Sequence, residues 1–277
     1  MKIKRLMFRC VALVLVSVIA YSGYRLWDID RNYAAEAAFH NRLLKYKPDA
    51  RILSPDKTAS GSLAFVSAQT ENTPAANASA SGSPAAAPRA NRTVAALQAE
   101  YPDAIGWLTI PGSGIDYPFV RGADNNCYLH RDLDGNHTAA GTIFMDCRNS
   151  RDFSDFNTVL FGHHMKNGSM FGTLQNFDDR EFFDANRTGA IFLADKTYEI
   201  EFMAFAVVNT GDAVIYDTAV ITDGDKTAFL DYVKSAARYY RDVGASTDSQ
   251  IVTLSSCNYE FQNARMVLIG KLVERQF

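Results

Sequence analysis

The sequence predicts a mostly-β domain, a small barrel decorated by helices, held behind an apolar N-terminus and a low-complexity linker. Three observations carry this. Short β-branched and aromatic runs separated by turn residues recur between residues 105 and 273. One longer stretch, 225–242, instead places Phe229, Val233, Ala236 and Tyr240 on a single stripe of helical period. Over 277 residues, 47% hydrophobic and 21% charged content is ordinary globular usage, enough for one sizeable core. A net charge of -3, from 28 basic and 31 acidic residues, argues against nucleic acid as a partner.

Taken in order, Lys2, Lys4, Arg5 and Arg9 precede an uncharged run over 10–24, which Leu26 and Trp27 extend. Residues 1–27 therefore read as a single-pass transmembrane signal-anchor, with Arg9 and Arg25 reaching the two interfaces. Positive charge on the N-terminal side orients the rest of the chain outward, giving an extracellular domain on the cell membrane. A cleaved signal peptide is the competing reading. Its small-residue site is poor, because Val18-Ile19-Ala20 lacks a small residue at the first position. Residues 28–93 read as a juxtamembrane helix over 28–46 followed by a flexible stalk. In 58–93, 29 of 36 residues are Ala, Ser, Thr, Pro, Gly or Asn, too little apolar area to offset ordering entropy.

The folded domain is expected over 94–277, and residues 1 to about 90 are expected to add nothing to its core. A short helix at 94–101 leads to a strand at 105–110. The turn cluster Pro111-Gly112-Ser113-Gly114 leads to a second strand, 115–120, which Pro118 marks as an edge or bulge. Strands follow at 141–145 and 158–161. A hairpin around Asp195 and Lys196 joins 190–193 to 198–209. The helix at 225–242, capped by Thr222 or Asp223, precedes strands at 251–254 and 265–273, for about eight strands in all.

The chemistry concentrates at strand ends. The run 251–257 ends in Ser255, Ser256 and Cys257, and Arg265 opens the next strand, so a hairpin brings Cys257 and Arg265 together. The strand at 158–161 ends in Gly162, His163 and His164. A thiolate is the working nucleophile, and a nearby cation favours it. Histidine can return a proton to a leaving amine, and the arginine fork can hold an oxyanion. Together they suit acyl transfer through a thioester. Plainer readings stand beside this one: a core cysteine, a surface histidine pair, an ion-paired arginine. A metal site at His163 and His164 would need further ligands, with His130 and His137 as candidates. Four cysteines without a CxxC pair make a thiolate zinc site improbable, and neither a metal nor a cofactor is expected. Cys127 and Cys147 could pair, but two buried free thiols are favoured, and Cys10 lies in the anchor.

Several strings resemble the sortases of Gram-positive bacteria, class B in particular. TLSSC at 253–257 is similar to the TLxTC signature, with serine before the cysteine. NTVLFGHHM at 157–165, followed by MFGTL at 170–174, resembles the class B histidine segment, with Phe161 where many members have tyrosine. ARMVLIGKL at 264–272 resembles the arginine strand, and GWLTIPGSGIDYP at 106–118 the opening strands. The resemblance implies a closed eight-stranded β-barrel with peripheral helices, including a long helix before the cysteine strand. It implies a cysteine transpeptidase with His163, Cys257 and Arg265 as catalytic residues, His164 as a neighbour, and Ser255, Ser256 and Phe161 as substrate-binding residues. The implied partners are surface proteins bearing a C-terminal sorting pentapeptide, cleaved after threonine, and a cell-wall precursor or pilin amine that takes the acyl group. A cysteine hydrolase without transpeptidation and an anchored, non-enzymatic binding module are the rivals. A peptidoglycan transpeptidase is disfavoured because its histidine-glycine-cysteine pattern is absent.

Overall fold

In the computed structural model, which describes residues 2–49, 91–258 and 261–275, the β-rich sequence closes on itself. The strands are β1 (Ala104–Ile110), β2 (Ile115–Val120), β3 (Ile143–Met145), β4 (Asn157–Phe161), β5 (Thr188–Leu193), β6 (Thr197–Asn209), β7 (Tyr239–Tyr240), β8 (Gln250–Cys257) and β9 (Ala264–Arg275). Their order is β5-β1-β2-β3-β4-β8-β9-β6, and β6 pairs back onto β5. This is the expected closed eight-stranded barrel, with the two-residue β7 as a flange on β6. Most neighbours are antiparallel; β2–β3 and β4–β8 are parallel.

Continuous apolar runs, rather than strict alternation, reflect strands buried on both faces. In β9, Met266 and Leu268 face the barrel interior beside Leu108, Phe171, Phe202 and Leu254. Val267 and Ile269, between them, face outward under a helix. That helix, α4 (Asp223–Ala236), presents Phe229 and Val233 to the outer wall, and Thr222 caps it in a capping box with Asp225. It ends short of the expected 242. Tyr239 and Tyr240 pair with Phe205 and Ala204 instead, as Arg238 N and Arg241 N donate to Phe205 O and Met203 O. Adjacent tyrosines favour a strand once a free edge is offered. Pro118 is tolerated inside β2 because β3 joins only from Phe119 onward. A 3-10 turn at Gly172–Asp178 and a short helix, α3 (Arg180–Ala185), lack a periodic signal and were not expected.

The N-terminus departs most from expectation. The stretches expected as anchor and juxtamembrane helix form one helix, α1 (Lys2–Leu43), long and apolar enough to cross a membrane. A 3-10 turn, Leu44–Tyr46, follows, and then α2 (Arg92–Glu100) opens the next described segment. Leu43 and Tyr46 are buried with Val94, Leu97, Trp107 and Phe192. Lys47 pairs with Asp116 at 2.5 Å, Arg42 with Asp134, and Tyr46 donates to Glu100. The expectation that nothing before residue 90 enters the core is therefore corrected. Residues 51–90, most of the expected stalk, lie outside the described residues. Both described flanks meet the same face: Tyr46 on Glu100, and Asn91 through its N donating to Ala194 O at 2.8 Å. Through Leu43 and Tyr46 the C-terminal end of this N-terminal region thus packs directly on the barrel.

Candidate active site

The geometry of the site follows from three neighbouring strands. β4 and β8 run parallel with Phe161 opposite Ser255, and the ladder continues as Gly162 N donates to Ser255 O at 3.1 Å. Two residues beyond each partner stand His163 and Cys257. On the other side of β8, Cys257 pairs directly with Arg265 of β9. His163, Cys257 and Arg265 thus fall on one row at one end of the barrel. Alternation puts Cys257 and Arg265 on the outward side, since Leu254 and Met266 point inward. Cys257 is partly exposed, and Arg265 Nη1 donates to Ala264 O at 3.0 Å.

His163 is held from two directions. Its Nε2 lies 2.7 Å from Leu129 O; a carbonyl only accepts, so Nε2 carries the hydrogen and Nδ1 is left for proton exchange. Its ring also stacks on His130 at 5.3 Å and 20°. Burial holds the His163 pKa below the usual histidine value; the Leu129 bond opposes that, and charge on His130 adds to it. Two glycines permit this packing. A Cβ on Gly162 would lie 2.7 Å from the Phe171 ring, and one on Gly141, at φ +59°, would come within 2.4 Å of Leu129 O itself. His164 turns the other way and donates from Nδ1 to Cys257 O at 3.0 Å.

Of the two serines, Ser255 shares the outward side with Cys257. It is buried, and its hydroxyl bonds Tyr216 Oη at 2.9 Å. Ser256 points the other way and donates to Gly162 O at 2.8 Å, tying β8 to the start of the histidine loop. Phe161 stacks on Tyr216 at 6.0 Å. Tyr216 escaped sequence reading because it sits in an aperiodic loop between β6 and α4. Burial pushes its hydroxyl up to about 12, so it stays protonated. Asn157 pins that loop: its Nδ2 donates to Ile215 O at 3.1 Å and Asp217 O at 2.9 Å, while its Oδ1 accepts from Thr253. An asparagine opening an apolar strand was the available signal, since a buried amide must find partners.

His130, His137 and His163 come together, but as a face-to-face stack, with 6.0 Å between His130 and His137. In-plane lone pairs of stacked rings do not converge, and no group of three ligating side chains forms among the described residues. The cysteines are free thiols, and Cys127 and Cys147 are partly exposed rather than buried as expected, in loops whose amides are capped by Asp124 and Asn125.

The family model described as the sortase domain matches residues 108–273. Sortase B of Listeria monocytogenes is 38% identical over 182 residues, covering 65% of this chain and 73% of that protein. The X-ray structure of Clostridium perfringens sortase B has a TM-score of 0.62 at 31% identity, covering 65% of this chain and 98% of its own. A Staphylococcus aureus sortase B–substrate complex has a TM-score of 0.63 at 27% identity, covering 67% of this chain and 87% of its own.

Proposed function

This chain belongs to the sortase family, as a class B cysteine transpeptidase, and from that membership we propose that Cys257, His163 and Arg265 carry its chemistry. Sortases act on surface proteins with a sorting signal and pass the acyl group to an amine. In the proposed cycle the Cys257 sulfur attacks the carbonyl at the cleavage point, and its proton goes to His163 Nδ1. Arg265 holds the oxyanion of the tetrahedral intermediate. Collapse leaves a thioester on Cys257, and His163 returns the proton to the departing amine. The acceptor amine then attacks the thioester, its proton passes to His163, and the thiol is released. The observation that supports this is the shared row on β4, β8 and β9, with Cys257 opposite Arg265.

Phe161 and Tyr216, with the buried Ser255 bracing Tyr216 from behind, would form the adjoining wall for the sorting peptide, which we infer to be a C-terminal pentapeptide cut after threonine. Ser256 would serve it indirectly, by fixing the histidine loop. The acceptor would be a cell-wall precursor or a pilin amine. We further propose that α1 spans the membrane once, with Lys2, Lys4 and Arg5 inside and the barrel outside. Product analysis by mass spectrometry of a library of threonine-containing sorting peptides, with and without an added amine, tests the reading. New amide products that require both Cys257 and the amine are expected. Hydrolysis alone, at any amine concentration, would contradict transpeptidation.

A further inference from the structure

We propose that His130 is a positioning residue for the transpeptidation reaction, fixing the His163 imidazole by ring stacking and setting the pH at which it exchanges protons. This rests on the reading of His163 as the catalytic histidine. His130 does not share the Cys257 row; it acts on the ring that does.

The segment before β3 supplies both constraints on His163. Leu129 O fixes the ring in its plane at 2.7 Å, and His130 fixes its face at 5.3 Å and 20°. Two contacts at right angles leave an imidazole little freedom in either side-chain torsion. His130 is itself sandwiched, with His137 stacked on it at 6.0 Å and 24°. The turn that carries both is closed by its own bonds. Arg131 bridges to His137, Thr138 N donates to His130 O at 3.0 Å, and Asp132 N donates to Asn136 O at 3.0 Å. Its tip is moored by Tyr101 Oη donating to Asp134 Oδ1 at 3.0 Å and by Arg42 of α1. Such a wall positions a ring; it is not a loose surface loop.

The electrostatic consequence has a definite sign. Among the described residues, the titratable and charged groups beside His163 are His130 with His137 behind it, His164 next in the chain and, on the same row, Cys257 of β8 and Arg265 of β9. Like charges on stacked rings disfavour each other, so charge on His130 opposes protonation of His163. Removing that charge favours the imidazolium. The neutral form that accepts the thiol proton is then lost at a higher pH as the solution is acidified.

The test is kcat and KM against pH for the full chain in detergent micelles, with the best peptide from the library, for the wild type and for His130→Phe, His130→Ala and His163→Ala. His130→Phe keeps an aromatic face without a charge; the acidic limb of its kcat/KM profile should move to higher pH. His130→Ala loses the face as well, and its kcat should fall about tenfold with a smaller change in KM. Thermal melts run alongside separate this from unfolding, and His130→Phe remains decisive if His130→Ala melts early. An acidic limb in His130→Phe that coincides with the wild type would overturn the proposal. An unshifted limb persisting in an active His163→Ala enzyme would instead sink the assignment of His163.

Discussion

Arg265 occupies the position where charge and geometry can be told apart. Lysine keeps the charge but replaces a planar fork of donors with a mobile ammonium. Arg265→Lys should therefore lose roughly a hundredfold to a thousandfold in single-turnover cleavage, the loss typical of removing one oxyanion donor. A full rate would assign the oxyanion to backbone amides instead. His163→Ala should be nearly as severe as Cys257→Ala. His164→Ala should cost only severalfold, because its Nδ1 holds the Cys257 carbonyl, a bond worth about 1 kcal/mol, and not the thiol. The reverse ranking of the two histidines would show that the wrong one has been chosen. At this scale the pairing of Cys257 with Arg265 was legible in the sequence, since the two sit at the facing ends of strands joined by a short loop. The alignment of His163 with them depends on a parallel pairing between strands far apart in the chain, Asn157 with Ile251 through Phe161 with Ser255, which no local pattern encodes. The Leu129 carbonyl is backbone and carries no residue signature, and Tyr216 lies in a loop without periodicity.

Among the elements, the loop between β6 and α4 draws on one buried amide as well as on Tyr216 and Ile215. Asn157 spends both amide hydrogens on Ile215 O and Asp217 O and its oxygen on Thr253. Asn157→Ala would strand these groups. At about 1–3 kcal/mol for a buried group left unpaired, a stability loss of roughly 2–4 kcal/mol is expected in urea denaturation. A loss under about half a kcal/mol would mean that the loop holds itself. The hairpin of β5 and β6 and the cap of α4 were legible because turn and cap chemistry is local. Where α4 stops was not legible, because the free edge of β6 that captures Tyr239 and Tyr240 is a tertiary feature. The same holds for Pro118, whose tolerance rests on where β3 begins.

At the scale of the whole molecule, α1 is long and apolar enough to cross a membrane, and its C-terminal end is part of the fold. Burying Leu43 and Tyr46 against α2, β1 and β5 is worth about 1.5–3 kcal/mol for a large apolar side chain, an upper estimate once residual order in the unfolded chain is counted. Deleting residues 1–47 should therefore lower the denaturation midpoint markedly relative to deleting residues 1–27. Equal midpoints would show the docking to be marginal. Composition marked the apolar N-terminus but hid this docking, since Leu43 at the end of α1 and Tyr46 just beyond it carry no pattern that sets them apart from a helical surface. The parallel pairing of β4 with β8 and the antiparallel pairing of β8 with β9 set His163, Cys257 and Arg265 side by side, and we propose that this row makes and breaks a thioester on Cys257. Intact-protein mass spectrometry of the full chain mixed with a sorting peptide and no amine tests it most directly. The predicted result is a mass gain equal to the acyl fragment, mapped to Cys257, discharged on adding an amine and absent in Cys257→Ala. Peptide turnover with no adduct on the wild type, or turnover that survives Cys257→Ala, would contradict it.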